Sequence, residues 1–256
     1  MSGRETKPAS WDTGTPTRVS IPQRVMSAAA LDRLPLNGEE TVLHVGCGTG
    51  EVTEALLAKL PEGRAIAVDG SPSMVEKAKE RLPEDRVEVI CCDLTELEMD
   101  GVADHAFSNA VFHWVDDHDR LFAGLFRAIR PGGLLVAQCG GEGNIAEIVT
   151  ALETVRKEAP WQEELAGFTA PWNFAGPDET TRRLEAAGFT EVECSLEKRA
   201  ARPKDPRAFL QNSGLGPVRA RLTPEMFNAF SDRMMEAMGQ PETFQYVRLN
   251  IKARRP

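Results

Sequence analysis

Short apolar runs alternate, between residues 41 and 140, with segments whose apolar positions recur at helical spacing. Short continuous runs that end in Gly or Asp are typical of strands buried on both faces of a sheet. Spacings such as Val52, Leu56 and Leu60 indicate amphipathic helices between them. The alternation predicts an α/β fold with a mostly parallel sheet and helices on both faces. Strands are predicted at 41–45, 64–68, 87–91 and 134–138, and a further strand, fourth in chain order, in or just before 106–111.

A different organisation begins after residue 140, where the regular alternation stops. The second predicted helix there ends at Gly188, a residue suited to a left-handed helix cap. Two late strands flank a helical excursion, which predicts an antiparallel edge on the sheet. The predicted elements are helices at 145–157 and 178–187, a helical insert at 205–238, and strands at 191–196 and 244–253.

The same pattern predicts the domain organisation. Residues 1–20 are polar and rich in Pro, Ser and Thr, so we expect a mobile N-terminal segment. Residues 21–256 are expected to form one domain, with helical insertions at about 142–176 and 205–240. We expect these insertions to form a cap over the carboxyl ends of the strands, where such sheets bind ligands.

The composition narrows the class of partner. Hydrophobic residues make up 41% of the chain and charged residues 27%, the balance of an ordinary globular protein. The formal net charge is −9, so no overall positive field attracts nucleic-acid phosphates or anionic lipid. The sequence has no run of about 20 apolar residues and no secretory signal at its N-terminus. We therefore expect a cytoplasmic protein that binds neither nucleic acid nor membrane, as a monomer or homodimer.

The cysteines give no metal-binding pattern. There are five, at unpaired spacings, and four of them lie in or beside apolar runs. A free thiol in such a position is usually a small buried hydrophobic group. No metal site is predicted.

A glycine-rich turn, Gly46-Cys47-Gly48-Thr49-Gly50, joins the first strand to the first helix. Glycines there allow a tight turn with no side chain in the way of a ligand. The following helix offers free N–H groups and a positive dipole end. A dinucleotide fingerprint has Gly or Ala immediately after this loop, whereas Glu51 stands there and would face a pyrophosphate.

Two carboxylates follow the loop at regular spacing. Asp69 lies 23 residues beyond Gly46, at the end of the second strand, where a carboxylate can accept both hydroxyls of a ribose. Asp93 lies 24 residues further, at the end of the third strand, where it can accept from an adenine amino group. Each aspartate alone could equally be a turn or helix-cap residue. Together with the loop, they indicate a site for an adenosine-containing ligand.

These motifs resemble those of the class I S-adenosylmethionine (SAM)-dependent methyltransferases, which have a Rossmann-like doubly wound fold. The resemblance extends from about residue 20 to the end of the chain. It is carried by VLHVGCGTG at 42–50, AVDGSPSMVEKAK at 67–79, ICCDL at 90–94 and FSNAVFHWVDDHDRLFAGLFRAIRPGG at 107–133. The block at 107–133 and the tail LGPVRARLTPEM at 215–226 resemble more particularly the trans-aconitate methyltransferase group and its relatives, which act on small acids or natural products.

The resemblance implies a role for each matching residue. The loop glycines and Cys47 would hold the methionine part of SAM, and Asp69 the ribose. Met74 would lie against the adenine face, Asp93 and Leu94 at its edge, and Asn109 beside the transferring methyl. The expected products are a methylated small molecule and S-adenosylhomocysteine (SAH). The implied SAM-binding residues are Gly46, Cys47, Gly48, Gly50, Asp69, Gly70, Ser71, Met74, Asp93, Leu94 and Asn109.

His113 is the candidate catalytic residue. It follows the fourth predicted strand, where methyl acceptors lie in the resembled family, and its ordinary pKa near 6.5 suits a base or an anion-binding group. A histidine beside two aromatic residues is equally typical of a hydrogen-bonded core position. An acceptor that is already ionised, such as a carboxylate, needs no base.

The chain departs from the resembled family at two places. His44 stands where an acidic residue is usual, and a neutral imidazole supplies no negative charge to the ligand ammonium. Glu51 is a candidate to compensate. The aromatic residue usual after Trp11-Asp12 is missing, and Arg18 and Gln23 are candidates for the methionine carboxylate.

These departures motivate one alternative function, a SAM-binding protein without methyl transfer, acting as a sensor or scaffold. A nucleic-acid methyltransferase is disfavoured by the acidic charge. Residues 108–111 also lack the Asn/Asp-Pro-Pro-aromatic cluster that grips a flipped base.

Overall fold

The computed structural model describes residues 29–256, and it shows one seven-stranded sheet with helices around it. The strands are β1 Thr41–Val45, β2 Arg64–Asp69, β3 Val87–Cys91, β4 Ala103–Asn109, β5 Ile129–Gly140, β6 Thr190–Ala201 and β7 Phe244–Arg254. The helices are α1 Glu51–Leu57, α2 Pro72–Arg81, α3 His118–Ala128, α4 Ala146–Val155, α5 Trp161–Glu164, α6 Pro177–Ala186, α7 Pro206–Ser213, α8 Gly216–Arg219 and α9 Pro224–Ala237. Short 3-10 turns cover Leu94–Glu96 and Phe112–Trp114.

The strand order is β3-β2-β1-β4-β5-β7-β6. Strands β1 to β5 pair in parallel, whereas β7 is antiparallel to both of its neighbours, β5 and β6. The prediction of a mostly parallel sheet with antiparallel pairing at one edge is therefore confirmed. The reversed strand β7 lies second from that edge, and β6 covers it.

Helices pack on both faces of the sheet, as the alternation predicted. One face is buried under α3 and α6 and includes Leu121, Leu125 and Leu184. The other face is buried under α1, α2 and the helical residues 29–31 and includes Leu31 and Leu56. The fold is doubly wound because apolar side chains of the central strands alternate between these two cores.

β5 begins at Ile129, five residues before the predicted start at 134, and it includes Pro131-Gly132-Gly133. Ile129 pairs with Ala103, and the register with β4 then shifts. The three residues form an irregularity inside the strand. Pairing with β4 carries the strand beyond what its own apolar run indicates.

The two insertions build a second hydrophobic core beside the sheet. Side chains from α4, α5, α7, α8 and α9 meet there, together with Phe244 at the start of β7. Phe227, Phe230 and Met234 are buried in it, which explains the helical spacing of apolar residues along α9. That these helices form a cap over a bound ligand stays a prediction.

Candidate functional site

The sequence-predicted site residues lie at the carboxyl ends of four adjacent strands, β3, β2, β1 and β4. These residues meet at one edge of the sheet because parallel strands all end on the same side. The loop after β1 carries Gly46, Cys47, Gly48 and Gly50. The end of β2 and the start of α2 carry Asp69, Gly70, Ser71 and Met74, the segment after β3 carries Asp93 and Leu94, and β4 ends at Asn109.

The three loop glycines all have left-handed backbone conformations, with φ of +73° at Gly46, +55° at Gly48 and +82° at Gly50. A Cβ at Gly46 would lie 2.1 Å from the nearest side-chain atom of Val111. A Cβ at Gly48 would meet no atom of residues 29–256 within 4 Å. Glycine is therefore suited to the two positions for different reasons. Gly46 allows close packing against Val111 under the loop, whereas Gly48 borders space that the described residues leave open.

Asp69 ties two loops together. One carboxylate oxygen accepts from the N–H of Gly48 at 2.8 Å, and the other accepts from the N–H of Ser71 at 2.9 Å. A carboxylate offers about four lone-pair sites, so these two bonds leave capacity for further donors. The side chain is therefore held rigidly while it can still accept hydroxyl groups.

Asp93 is a helix cap in this structure. Its Oδ1 accepts from the N–H and the hydroxyl of Thr95, both at 2.8 Å, at the start of the 3-10 turn Leu94–Glu96. Leu94 is buried behind it. A carboxylate has a second oxygen, so the cap is compatible with the predicted contact to an adenine edge, which stays a prediction.

One row of residues runs across the sheet at this edge. Asn109 on β4 pairs with Gln138 on β5, Gln138 with Asn250 on β7, and Asn250 with Ser195 on β6. Paired residues in a sheet point to the same face. The row therefore continues from Asn109, the predicted neighbour of the methyl, across three further strands.

His44 is buried beneath the loop and is neutral. Its Nδ1 lies 2.8 Å from the hydroxyl of Thr53 on α1, and its ring lies 5.4 Å from that of Phe107. Burial lowers the pKa of His44 from 6.5 to about 4. The residue consequently offers no charge to a ligand, as its chemistry predicted; whether it weakens SAM binding stays a prediction.

The buried His44 predicts acid destabilisation. Because its folded pKa is depressed, the unfolded chain takes up a proton below pH 6.5 that the folded chain does not, until pH falls to about 4. We expect His44 alone to contribute a loss of about 1.5 kcal/mol between pH 6.5 and 5. Urea unfolding of wild type and His44→Asn at both pH values measures it. The variant should lose less stability on acidification; equal losses would contradict this.

His113 lies on the 3-10 turn after β4 and is almost fully buried. The N–H of Gly140 donates to its Nδ1 at 3.2 Å, and the ring stacks on Phe174 at 5.8 Å. Burial, and then the positive charge of Arg248, lower the pKa of His113 to about 3. Since Nδ1 accepts a hydrogen bond, the neutral ring carries its proton on Nε2. Its catalytic role stays a prediction, and this geometry favours donating a hydrogen bond over acting as a base.

The cysteines differ in exposure. Cys47 and Cys139 are buried, Cys92 and Cys194 partly buried, and Cys91 exposed. Burial, and then the charge of Asp69, raise the pKa of Cys47 to about 12. The loop thiol is therefore protonated at neutral pH and is no nucleophile.

Some predictions fall on residues that the structure does not describe. These are the predicted mobility of residues 1–20 and the candidates Trp11-Asp12, Arg18 and Gln23. Sequence reasoning missed Arg248 and Asn250 on β7, which stand on the sheet face opposite the buried Leu249 and Ile251. The feature of the sequence that could have identified them is the alternation of polar and apolar residues along QYVRLNIKA, at 245–253.

The arrangement fits SAM. Open space beside Gly48 can take a ligand, and Asp69 is held ready to accept ribose hydroxyls. Asn109 lies two strands along from Asp69, about 10 Å away at the usual strand spacing. That separation suits a ligand such as SAM, in which the reacting methyl group lies on the sulfur attached to the far side of the ribose from the ring hydroxyls.

Comparison with known proteins gives the family. The profile of the family described as "Methyltransferase domain" matches residues 43–137. The trans-aconitate 2-methyltransferase of Methylobacterium nodulans is 33% identical over 184 residues, which cover 71% of this chain and 70% of that protein. The chain therefore belongs to the class I SAM-dependent methyltransferases.

Other relatives extend this finding. The malonyl-[acyl-carrier protein] O-methyltransferase of Acetivibrio thermocellus is 34% identical over 144 residues, covering 56% of this chain and 51% of that protein. The chain thus matches about half the length of that relative. Among solved structures, the YcgJ protein from Bacillus subtilis has a TM-score of 0.65 at 15% identity, covering 90% of this chain and 98% of that one. This last likeness concerns the fold.

Proposed function

We propose that this protein transfers the methyl group of SAM to a small-molecule acceptor, a small organic acid or natural product, by O- or C-methylation. The observation that carries the proposal is the joining of the glycine loop and Asp69 in a member of this family. SAM, when bound, supplies an electrophilic methyl group on a sulfonium sulfur. The by-product is SAH.

The residues at the carboxyl ends of the strands would bind SAM and orient it. The loop of Gly46, Gly48 and Gly50 would hold the methionine part through its backbone, and Asp69 would accept the ribose hydroxyls. Gly70, Ser71 and Met74 would border the adenosine. Methyl transfer is an in-line displacement, so holding acceptor and donor in line supplies much of the catalysis.

A base is needed only when the acceptor must lose a proton. His113 is a poor proton acceptor at neutral pH because its pKa lies near 3 and its Nδ1 already accepts from Gly140. An acceptor that is ionised before it binds, such as a carboxylate, suits this site best. His113 would then orient the acceptor through its Nε2–H.

Calorimetry with SAM and SAH, followed by a screen for SAH release over small acids, tests the proposal. We expect binding of both ligands and turnover on at least one acceptor. Binding without turnover on any acceptor would favour the alternative, a SAM-binding protein without activity. Failure to bind either ligand would contradict both functions.

We further infer a cytoplasmic protein that acts as a monomer or homodimer, without nucleic-acid or membrane partners. The net charge of −9 supports this. None of the helices within residues 29–256 is both long and apolar enough to cross a bilayer. Sedimentation of the purified protein would give its oligomeric state.

A further inference from the structure

A cavity of about 450 Å³ opens on the sheet face that carries the Asn109 row. Its floor includes Gln138, Asn250 and Arg248 from β5 and β7. Arg33, from the segment before β1, lies over it and donates to Asn250 at 3.0 Å. The cavity is a separate space from the glycine loop, two strands away from β1.

Arg248 is the unusual residue of this cavity. Its Nε is buried and makes no hydrogen bond, and within residues 29–256 no carboxylate lies within ion-pair distance of it. Its guanidinium carbon lies 5.3 Å from the ring centre of Tyr246, a contact that leaves the N–H groups unused. Burial lowers the pKa of Arg248. A largely buried guanidinium without an anion is costly, so its presence points to a ligand.

The carboxylate opposite Arg248 on the neighbouring strand already forms an ion pair with another arginine. Glu197 on β6 stands directly opposite Arg248, yet it accepts from Arg199 at 2.6 Å. The cavity is lined by three arginines, Arg33, Arg199 and Arg248, and by one acid, Glu197. Two positive charges therefore remain unbalanced there, in a chain whose net charge is −9. Such a cavity attracts small anions selectively.

The cavity also lies where an acceptor must be. Arg248 pairs with Gly140, whose N–H donates to His113. Asn109, the predicted neighbour of the methyl, is two strands from β7, or about 10 Å at the usual strand spacing. A small acid held by Arg248 would reach back towards Asn109 with its second end.

We propose that this cavity binds a carboxylate of the methyl acceptor, and that Arg248 is the residue that holds it. The two terminal nitrogens of a guanidinium match the two oxygens of a carboxylate in a bidentate pair. Since the Nε of Arg248 is buried, its terminal nitrogens would form that pair. The acceptor is then an acid with at least two polar ends, one fixed at Arg248 and one presented to the methyl. This inference rests on the proposed function.

Calorimetry of the SAH complex with succinate and tricarballylate, and with their neutral amides, tests the assignment. We expect the carboxylates to bind at least about tenfold more tightly than the amides. Arg248→Gln should abolish that preference. Arg248→Lys should retain part of it, because lysine keeps the positive charge but lacks the paired N–H donors of a guanidinium. SAH affinity should stay within about threefold in both variants, since Arg248 lies away from the loop.

Arg202→Gln is the matched control, because Arg202 is an exposed arginine just after β6 that pairs with Glu242 and does not line the cavity. It should change neither affinity. The unfolding temperature of Arg248→Gln should equal or exceed that of wild type, since the variant removes an unpaired buried charge. Equal binding of acids and amides by wild type, or full carboxylate affinity in Arg248→Gln, would overturn the assignment. If wild type does not bind SAH, the proposed function is contradicted. In that case, titration of the carboxylates without SAH would still test the role of Arg248.

Discussion

Replacing Asp69 by Asn is expected to weaken the binding of SAM and SAH by at least about 100-fold. Each hydrogen bond to a charged group contributes about 1.5–3 kcal/mol, and two ribose hydroxyls would donate to this carboxylate. The change also harms the site itself, because both oxygens of Asp69 accept backbone N–H groups, from Gly48 and Ser71. An Asn side chain has one acceptor oxygen, so one of those N–H groups would face an NH₂ group. Calorimetry with both ligands measures the loss.

Asp85→Asn is the control for this change. Asp85 is exposed just after α2 and is not part of the predicted site, so the variant should bind both ligands as wild type does. Thermal unfolding of Asp69→Asn should still be cooperative, since the side chain joins loops at the edge of the sheet and not the cores. If Asp69→Asn binds SAM within about threefold of wild type, the carboxylate does not hold the ribose.

The sequence predicted the bounds of two strands to the residue. β1 and β3 match their predicted ranges, 41–45 and 87–91, although β1 is almost fully buried and β3 is a partly exposed edge strand. A Gly or Asp shortly after each run marks where the strand ends. β6 extends from Thr190 to Ala201, whereas the prediction covered only 191–196. Many of its residues are exposed, and its length is set by pairing with β7. Pairing with another strand leaves little trace in the strand's own composition.

Some residues of the candidate site could be predicted from the sequence and others could not. Gly46, Gly48 and Asp69 were predictable because tight loops and strand ends impose residue types at fixed spacing. Arg248 was not, because an arginine in an alternating strand is ordinary. Its significance depends on which partners it lacks, and that is a property of the folded arrangement around it. Ser71 stands at the cap position of α2, where a hydroxyl cap is common, but its hydroxyl makes no cap hydrogen bond.

Gly46→Ala and Gly48→Ala are expected to separate folding from binding. At Gly46 the new methyl would meet Val111 at 2.1 Å with φ at +73°, so strain and overpacking act together. We expect the free energy of unfolding to fall by about 2–5 kcal/mol. At Gly48 the φ of +55° is also unfavourable, but no atom of the described part of the chain lies within 4 Å of the new Cβ, so a loss of about 1 kcal/mol is expected. SAM affinity of Gly48→Ala should nevertheless fall by more than about tenfold, because the methyl group projects into the space proposed for the ligand.

Urea unfolding and calorimetry on both variants test this division. The Val111→Ala background identifies the cause at Gly46, because it removes both of the atoms that a new Cβ would touch most closely. In that background Gly46→Ala should cost at least about 1 kcal/mol less than in wild type, because only the backbone strain and the contact with the Val111 Cβ at 2.9 Å remain. Additive effects of the two substitutions would show that the clash with Val111 does not limit this position. Unchanged SAM affinity in Gly48→Ala would show that the ligand lies elsewhere, and with it the proposed reading of the loop would fail.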